Sequence, residues 1–107
     1  MINKIVNTFG FTNLDQKEMN QVFSKYLNLK KVVLFGSRSN QSFQPYSDVD
    51  LAIVCDKDAF NTVCSLKYKL EEETQLPYFF DVIDLNKISS PELKKHISIY
   101  GKVIYGK

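Results

Sequence analysis

The sequence predicts a single domain of the α/β (α+β) class, spanning residues 1–107, in which helices pack on a small sheet. Two observations support this prediction. The 107 residues, 44% of them hydrophobic, are enough to build one core but not two. Short apolar runs also alternate with segments of helical periodicity, in the approximate order α-β-α-β-α-β-α. The pattern leaves open whether neighbouring strands are parallel or antiparallel.

The first helix is predicted around residues 15–27. Asp15 is the expected N-cap, Glu18 follows three residues later, and Leu14 is placed to form a hydrophobic staple with Met19. Five apolar residues recur at the spacing of a helix that buries one face: Met19, Val22, Phe23, Tyr26 and Leu27.

Three apolar runs predict strands. Lys31 to Phe35 contains β-branched residues and ends at Gly36. Val49 to Cys55 is apolar on both faces beyond Asp50, which indicates a central position in the sheet. Phe79 to Leu85 is the third predicted strand.

Two further helices follow the second and third strands. Asp56 or Asp58 can cap the first of these helices. Four of its apolar residues share one face: Ala59, Val63, Leu66 and Leu70. Ser90 and Pro91 form the cap and first-position signal of the last helix, and a short final strand is predicted from Lys102 to Tyr105.

Composition and charge exclude several classes of protein. A formal net charge of +2 is too small to indicate nucleic-acid binding, and no direct contact with nucleic acid is predicted. The longest apolar run, Leu51 to Cys55, is far shorter than the roughly 18 residues that suggest a membrane span. Polar residues interrupt the stretch from Met1 to Phe11, so no signal peptide is expected. Cys55 and Cys64 lack the spacing of a disulfide framework or zinc site, and a cytoplasmic protein is expected.

Three carboxylates are candidates for a metal site. Asp48 and Asp50 stand on either side of Val49, so their side chains project on the same face of a strand, about 7 Å apart. Asp81, in the third strand, can reach that face from a neighbouring strand. Convergent carboxylates repel one another unless they are neutralised. Such oxygen ligands suit Mg²⁺, with Mn²⁺ as an alternative.

A candidate phosphate-binding turn follows the first strand. Gly36 lets the backbone turn sharply and approach a ligand. Ser37 is expected to begin a helical turn, where N–H groups and its hydroxyl can donate to a phosphate oxygen. Arg38, the only arginine, supplies a permanent cation suited to phosphate. A phosphate site beside a metal site is the combination that phosphoryl transfer requires.

These residues resemble the signature of the polymerase-β-like nucleotidyltransferases. Gly36-Ser37 is followed after ten residues by Asp48-Val49-Asp50, and the stretch from Phe35 to Ile53 is similar to the minimal nucleotidyltransferases of bacteria and archaea. Leu76-Pro77 followed by Phe80-Asp81-Val82-Ile83-Asp84-Leu85 matches the segment that carries the third carboxylate of that family. One departure is Ser39-Asn40-Gln41, where many relatives have Ala-Arg-Gly; it affects how the triphosphate is held and how mobile the loop is.

The resemblance implies the nucleotidyltransferase fold, a small mixed sheet flanked by about four helices. It also implies transfer of a nucleoside monophosphate, AMP above all, from ATP or another nucleoside triphosphate. Asp48 and Asp50 would bind two Mg²⁺ ions, and Asp81 would complete the site of the ion nearest the acceptor. The β- and γ-phosphates would be held by Gly36, Ser37 and Arg38.

The acceptor is expected on another protein, because 107 residues leave no room for a second domain to hold it. In the family that the chain resembles, minimal domains are paired with a small helical HEPN protein, as the antitoxin of a toxin–antitoxin system, and add AMP to a tyrosine of the toxin. One alternative is a catalytically silent subunit that binds nucleotide and neutralises its partner by contact. Another is an antibiotic-type enzyme acting on small molecules. The three carboxylates favour catalysis over the silent subunit, and the missing acceptor domain disfavours the antibiotic-type enzyme.

Two other polar residues have structural interpretations. Asp84 lies on the opposite strand face from Asp81, near the end of the strand, and is expected to cap or to face solvent. His96 lies at the edge of a helical stripe with Leu93, Ile97 and Tyr100, and is expected to be a half-buried packing residue.

Overall fold

The computed structural model describes residues 7–106, which contain four strands and three α-helices. A 3₁₀ turn, Leu85–Lys87, follows the third strand. The helices are α1 (Asn13–Phe23), α2 (Ala59–Glu72) and α3 (Pro91–Tyr100). The strands are β1 (Leu29–Phe35), β2 (Val49–Cys55), β3 (Phe80–Asp84) and β4 (Lys102–Gly106). The predicted α/β class and the four predicted strands are confirmed.

The sheet is mixed, with the strand order β3-β2-β1-β4. β1 runs antiparallel to both of its neighbours, whereas β2 and β3 are parallel. A parallel pair requires a crossover connection, and α2 supplies it. β2 lies between two strands, as its apolar character on both faces predicted.

The two faces of the sheet are covered unequally. The larger core lies on the face that packs against α1 and α2 and includes Leu34, Leu51 and Leu66. The other face carries a smaller buried cluster, Val33, Phe35 and Ala52, against which Leu93 and Ile97 of α3 are packed. No residue of α3 is fully buried. Because side chains alternate along a strand, the even-numbered residues of β2 face this thinly covered side.

The first helix begins earlier than predicted because a capping box starts it at Thr12. The Thr12 hydroxyl accepts the Asp15 N–H at 3.0 Å, and the Asp15 carboxylate accepts the Thr12 N–H at 3.1 Å. The predicted N-cap at Asp15 is therefore wrong, and Leu14, 68% exposed, forms no buried staple. The helix ends at Phe23, so Leu27, 87% exposed, is not part of its buried face.

The segment between β1 and β2 forms turns instead of a fourth α-helix. Gly36 has a φ of +77° and Gln41 a φ of +65°, and both values lie outside the right-handed helical region. Two predicted caps are confirmed. The Ser90 hydroxyl accepts a backbone N–H in the first turn of α3, and the Asp84 carboxylate accepts the Asn86 N–H at the start of the 3₁₀ turn. No helix in residues 7–106 is long and apolar enough to cross a membrane.

Candidate active site

The turn at Gly36 brings the end of β1 against the side chain of Asp50. Across the β1–β2 ladder, Asp50 pairs with Phe35, the last residue of β1. A Cβ atom at Gly36 would overlap Asp50 Oδ2 and lie 3.0 Å from Asp50 Cγ. The positive φ of Gly36 also disfavours any residue with a side chain. Only glycine at position 36 therefore allows the backbone turn to lie in contact with the Asp50 carboxylate.

Asp50 is the innermost of the three predicted carboxylates. It pairs with Asp81 across the parallel β2–β3 ladder, so both side chains project from the face that α3 covers thinly. Asp48 lies just before β2 and is exposed, as is Asp81. Partial burial, followed by the charges of Asp81 and Asp48, raises the pKa of Asp50 to about 6.

A divalent cation suits the chemistry of this acidic group. It would offset both the desolvation and the mutual repulsion that raise the pKa of Asp50. Within residues 7–106, however, no three Asp, Glu, His or Cys side chains lie close enough together to form a set of metal ligands. The three-carboxylate metal site at Asp48, Asp50 and Asp81 therefore stays a prediction.

Ser37 lies in a hydrogen-bonded turn at the beginning of the loop between β1 and β2. The Gly36 carbonyl accepts the Ser39 hydroxyl at 3.0 Å and the Asn40 N–H at 3.3 Å, and the Ser37 carbonyl accepts the Ser42 N–H at 2.9 Å. The N–H and hydroxyl of Ser37 itself have no hydrogen-bond acceptor in the described part of the chain. The N–H and hydroxyl of Ser37 are thus available to an anion, although no helix begins at Ser37.

His96 supports this turn from α3. Its Nε2 accepts the Gly36 N–H at 2.9 Å, so that N–H is not available to a ligand. The ring packs against Phe35 and Tyr100, with centroid separations of 6.4 and 5.2 Å. The predicted packing role is confirmed, but the hydrogen bond was missed. The two residues are 60 positions apart, and no local pattern connects them.

Arg38 is buried within the loop instead of facing a phosphate. Only 1% of it is exposed. The guanidinium donates to the carbonyls of Phe9 at 2.8 Å, Pro45 at 3.3 Å and Ser47 at 3.0 and 3.2 Å. It also lies 4.6–5.1 Å from the centroids of three aromatic rings, those of Phe11, Phe43 and Tyr78. The position does not match the predicted phosphate ligand, because a buried guanidinium must satisfy its donors inside the protein.

A mixed sheet with a Gly-Ser turn after β1 and paired carboxylates at the start of β2 defines a nucleotidyltransferase. The model of the family described as "Polymerase beta, Nucleotidyltransferase" matches residues 17–107. The chain therefore belongs to the polymerase β nucleotidyltransferase family, which confirms the resemblance seen in the sequence. A search of curated proteins found none that matches the chain.

Solved structures share the fold. One is a toxin–antitoxin complex with AMP-PNP, with a TM-score of 0.68 and 24% identity over 86% of this chain and 73% of that chain. Another is a tri-AMPylated Shewanella oneidensis HEPN toxin in complex with an MNT antitoxin, with a TM-score of 0.63 and 24% identity over 88% of this chain and 71% of that chain. A third is a putative nucleotidyltransferase from Sulfolobus solfataricus, with a TM-score of 0.55 and 20% identity over 88% and 78%. The TM-scores show a shared fold, and at these identities the likeness shows the fold alone.

Proposed function

We propose that this nucleotidyltransferase moves AMP from ATP, held with Mg²⁺, to a hydroxyl group on a HEPN-class partner protein. The observation that carries the proposal is the contact between the Gly36 turn and Asp50, with Asp81 in register beside it. The turn that carries the Ser37 donors thereby lies against Asp50, with Asp81 beside it, which supports a combined phosphate and cation site. Both parts of such a site are needed to hold a metal-bound triphosphate.

In this proposal each residue has a separate role. The N–H and hydroxyl of Ser37 donate to the triphosphate. Asp48 and Asp50 would hold Mg²⁺, which when bound would neutralise phosphate charge and favour ionisation of the acceptor hydroxyl. Asp81 accepts the proton of that hydroxyl. A bond forms between the acceptor oxygen and the α-phosphorus as the bond from the α-phosphorus to pyrophosphate breaks.

The partner is inferred from two sources. Similar folds occur in complexes of an MNT antitoxin with a HEPN toxin that carries AMP, and in a toxin–antitoxin complex with AMP-PNP. In this chain, two aromatic residues near the carboxylates are largely exposed: Tyr46, 87%, precedes Asp48 by two residues, and Phe79, 73%, precedes Asp81 by two residues. An exposed apolar surface beside a reactive site suits a protein acceptor. Because ATP is the donor, we expect the reaction in the cytoplasm.

The test is transfer in a defined mixture. The purified protein, ATP, MgCl₂ and a candidate HEPN protein from the same genome are incubated, and intact-mass spectrometry detects AMP on the HEPN protein. We expect an adduct that is lost with EDTA and with Asp48→Asn. Asp56→Asn, at the other end of β2 in an exposed ion pair with Lys30, should keep full activity. Absence of an adduct with each of the four nucleoside triphosphates would overturn the proposal.

A further inference from the structure

We propose that Arg38 is a positioning residue that fixes Asp48 and the start of β3 relative to each other. This inference rests on the proposed function and deepens it. It assigns to the only arginine of the chain a role within the loop between β1 and β2. Arg38 would act through the carboxylate-bearing segments and would not touch the nucleotide.

The first link joins Arg38 to Asp48. Two guanidinium nitrogens, Nε and one Nη, donate to the carbonyl of Ser47 at 3.2 and 3.0 Å. Ser47 is the residue directly before Asp48. The same Nη also donates to the Pro45 carbonyl at 3.3 Å. Arg38 therefore ties the beginning of the loop to its end and limits where the backbone of Asp48 can lie.

The second link joins Arg38 to β3. Its guanidinium lies 4.6 Å from the ring centroid of Tyr78, and Tyr78 stands two residues before β3. The Tyr78 hydroxyl is held in turn by a 2.7 Å hydrogen bond to Asp15 of α1. Just beyond Tyr78, the carbonyl of Phe79 accepts the Val49 N–H at 2.9 Å. The first residue of β2 is thus joined to the residue just before β3, and Arg38 contacts the segments that lead into both strands.

Residues on several sides of Arg38 are placed to accommodate its guanidinium. Gly10 has a φ of +86°, and a Cβ there would lie 2.6 Å from an Arg38 Nη atom. This glycine lets the Phe9 carbonyl approach the guanidinium and accept a hydrogen bond at 2.8 Å. The guanidinium also lies 5.0 Å from the ring centroid of Phe43, which belongs to the same loop. Burial lowers the pKa of Arg38, but a guanidinium remains charged at any physiological pH.

Lysine cannot replace this arrangement. A guanidinium presents five N–H donors in a fixed plane, so it can reach carbonyls in different directions while it stacks on rings. An ammonium group keeps the charge but has no planar fork. Arg38→Lys therefore keeps the positive charge and removes the planar set of N–H donors, which makes it the informative variant. Arg38→Met removes both.

The unmodified protein gives the first measurement. Because the chain has one arginine, its Nε–H gives a single arginine signal in a ¹⁵N NMR spectrum. We expect this signal to be protected from exchange and unchanged when ATP and Mg²⁺ are added. A large shift on nucleotide binding would identify Arg38 as a phosphate ligand and overturn the inference.

Kinetics and hydrogen exchange of the variants give the second measurement. In Arg38→Lys we expect kcat for AMP transfer to fall on the order of 10–100-fold while KM for ATP changes less than about threefold, because misplacing reacting groups lowers kcat. The Val49 amide should exchange faster than in the wild type. Thr62→Val serves as the control, since Thr62 is 5% exposed, hydrogen-bonds Asn28, and lies in α2 beyond the opposite end of β2. This variant should lose stability and keep kcat.

The outcomes of these measurements distinguish positioning by Arg38 from phosphate binding and from a purely structural role. A raised KM with unchanged kcat would assign Arg38 to phosphate binding. Unchanged kcat in folded Arg38→Lys would make the residue purely structural. If the wild type transfers no AMP, the proposed function fails, and the exchange rate of Val49 still decides whether Arg38 fixes the loop. Should both variants fail to fold, the Nε–H signal of the wild type decides the question.

Discussion

The half-buried carboxyl group of Asp50 makes the stability of the protein depend on pH. Its pKa is raised from 3.8 to about 6 in the folded protein. The folded state therefore binds this proton more tightly than the unfolded state does, and between about pH 4 and pH 6 stability falls as the pH rises. Above that window the full destabilisation is present, and below it the destabilisation disappears.

Asp50→Asn should remove this pH dependence. Two pKa units correspond to about 3 kcal/mol, but the side chain is only partly buried and solvent screens it, so we expect a gain on the order of 1–2 kcal/mol at pH 8. At pH 4 the gain should be close to zero. Urea unfolding in EDTA at both pH values measures the difference. Asp56→Asn is the control and should show no gain; a gain for Asp50→Asn that is equal at both pH values would contradict this assignment.

The contact between Gly36 and Asp50 can be measured by a double-mutant cycle. Gly36→Ala should destabilise the protein by about 1–2 kcal/mol through its positive φ alone, and by more because the new methyl group meets Asp50 Oδ2. In an Asp50→Ala background, we expect the cost of Gly36→Ala to shrink by on the order of 1 kcal/mol. Gly10→Ala, at a φ of +86° but without contact to Asp50, should cost the same in both backgrounds. Additive costs at Gly36 would show that the overlap is relieved elsewhere.

At the scale of single residues, the sequence allows prediction of features that depend on residues close together in the chain or in neighbouring strands. Asp48 stands two residues before Asp50 in the chain, and Gly36 directly follows Phe35, which pairs with Asp50 across the β1–β2 ladder. Arg38 was expected to bind phosphate because its type and position suit an anion. Its real partners include a carbonyl 29 residues away, which no local pattern reveals.

At the scale of elements, the helix α3 connects the thinly covered face of the sheet to the Gly36 turn. It packs through Leu93 and Ile97 without burying any residue fully, and His96 accepts a hydrogen bond from the Gly36 N–H. The strands and the cap of α3 were predicted correctly because apolar runs and the Ser90-Pro91 pair are local signals. The start of α1 was not, because Asp15 is the third helical residue of a capping box with Thr12 and not the cap itself.

His96→Phe should loosen the Gly36 turn. The variant keeps an aromatic ring against Phe35 but removes the acceptor of the Gly36 N–H, at a cost of about 1–2 kcal/mol. The Gly36 amide should exchange with solvent faster in hydrogen-exchange NMR. His96→Gln, which retains an acceptor atom, should restore part of the protection, and Tyr100→Phe should leave it unchanged. Equal exchange rates in His96→Phe and wild type would show that α3 does not hold the turn.

At the scale of the whole molecule, the proposed reaction is limited by how the acceptor is positioned. Transfer requires the acceptor oxygen in line with the α-phosphorus, and much of the rate comes from that placement. The helices α1 and α2 cover one face of the sheet and α3 covers part of the other. Asp48 and Asp81 are exposed, so a docked partner can reach them.

The final prediction separates docking from chemistry. We expect Tyr46→Ala and Phe79→Ala to weaken complex formation with the HEPN protein by at least about tenfold, because exposed aromatic residues often dominate the affinity of an interface. Tyr68→Ala is the matched control, since Tyr68 is 60% exposed but lies on α2. Asp48→Asn should bind the partner with unchanged affinity and fail to add AMP, because a carboxylate is lost while the docking surface stays. Isothermal titration calorimetry measures the affinity, and intact mass measures the adduct. If Asp48→Asn, without adding AMP, still neutralised its partner fully in cells, contact alone would be sufficient and the chain would act as a binding subunit.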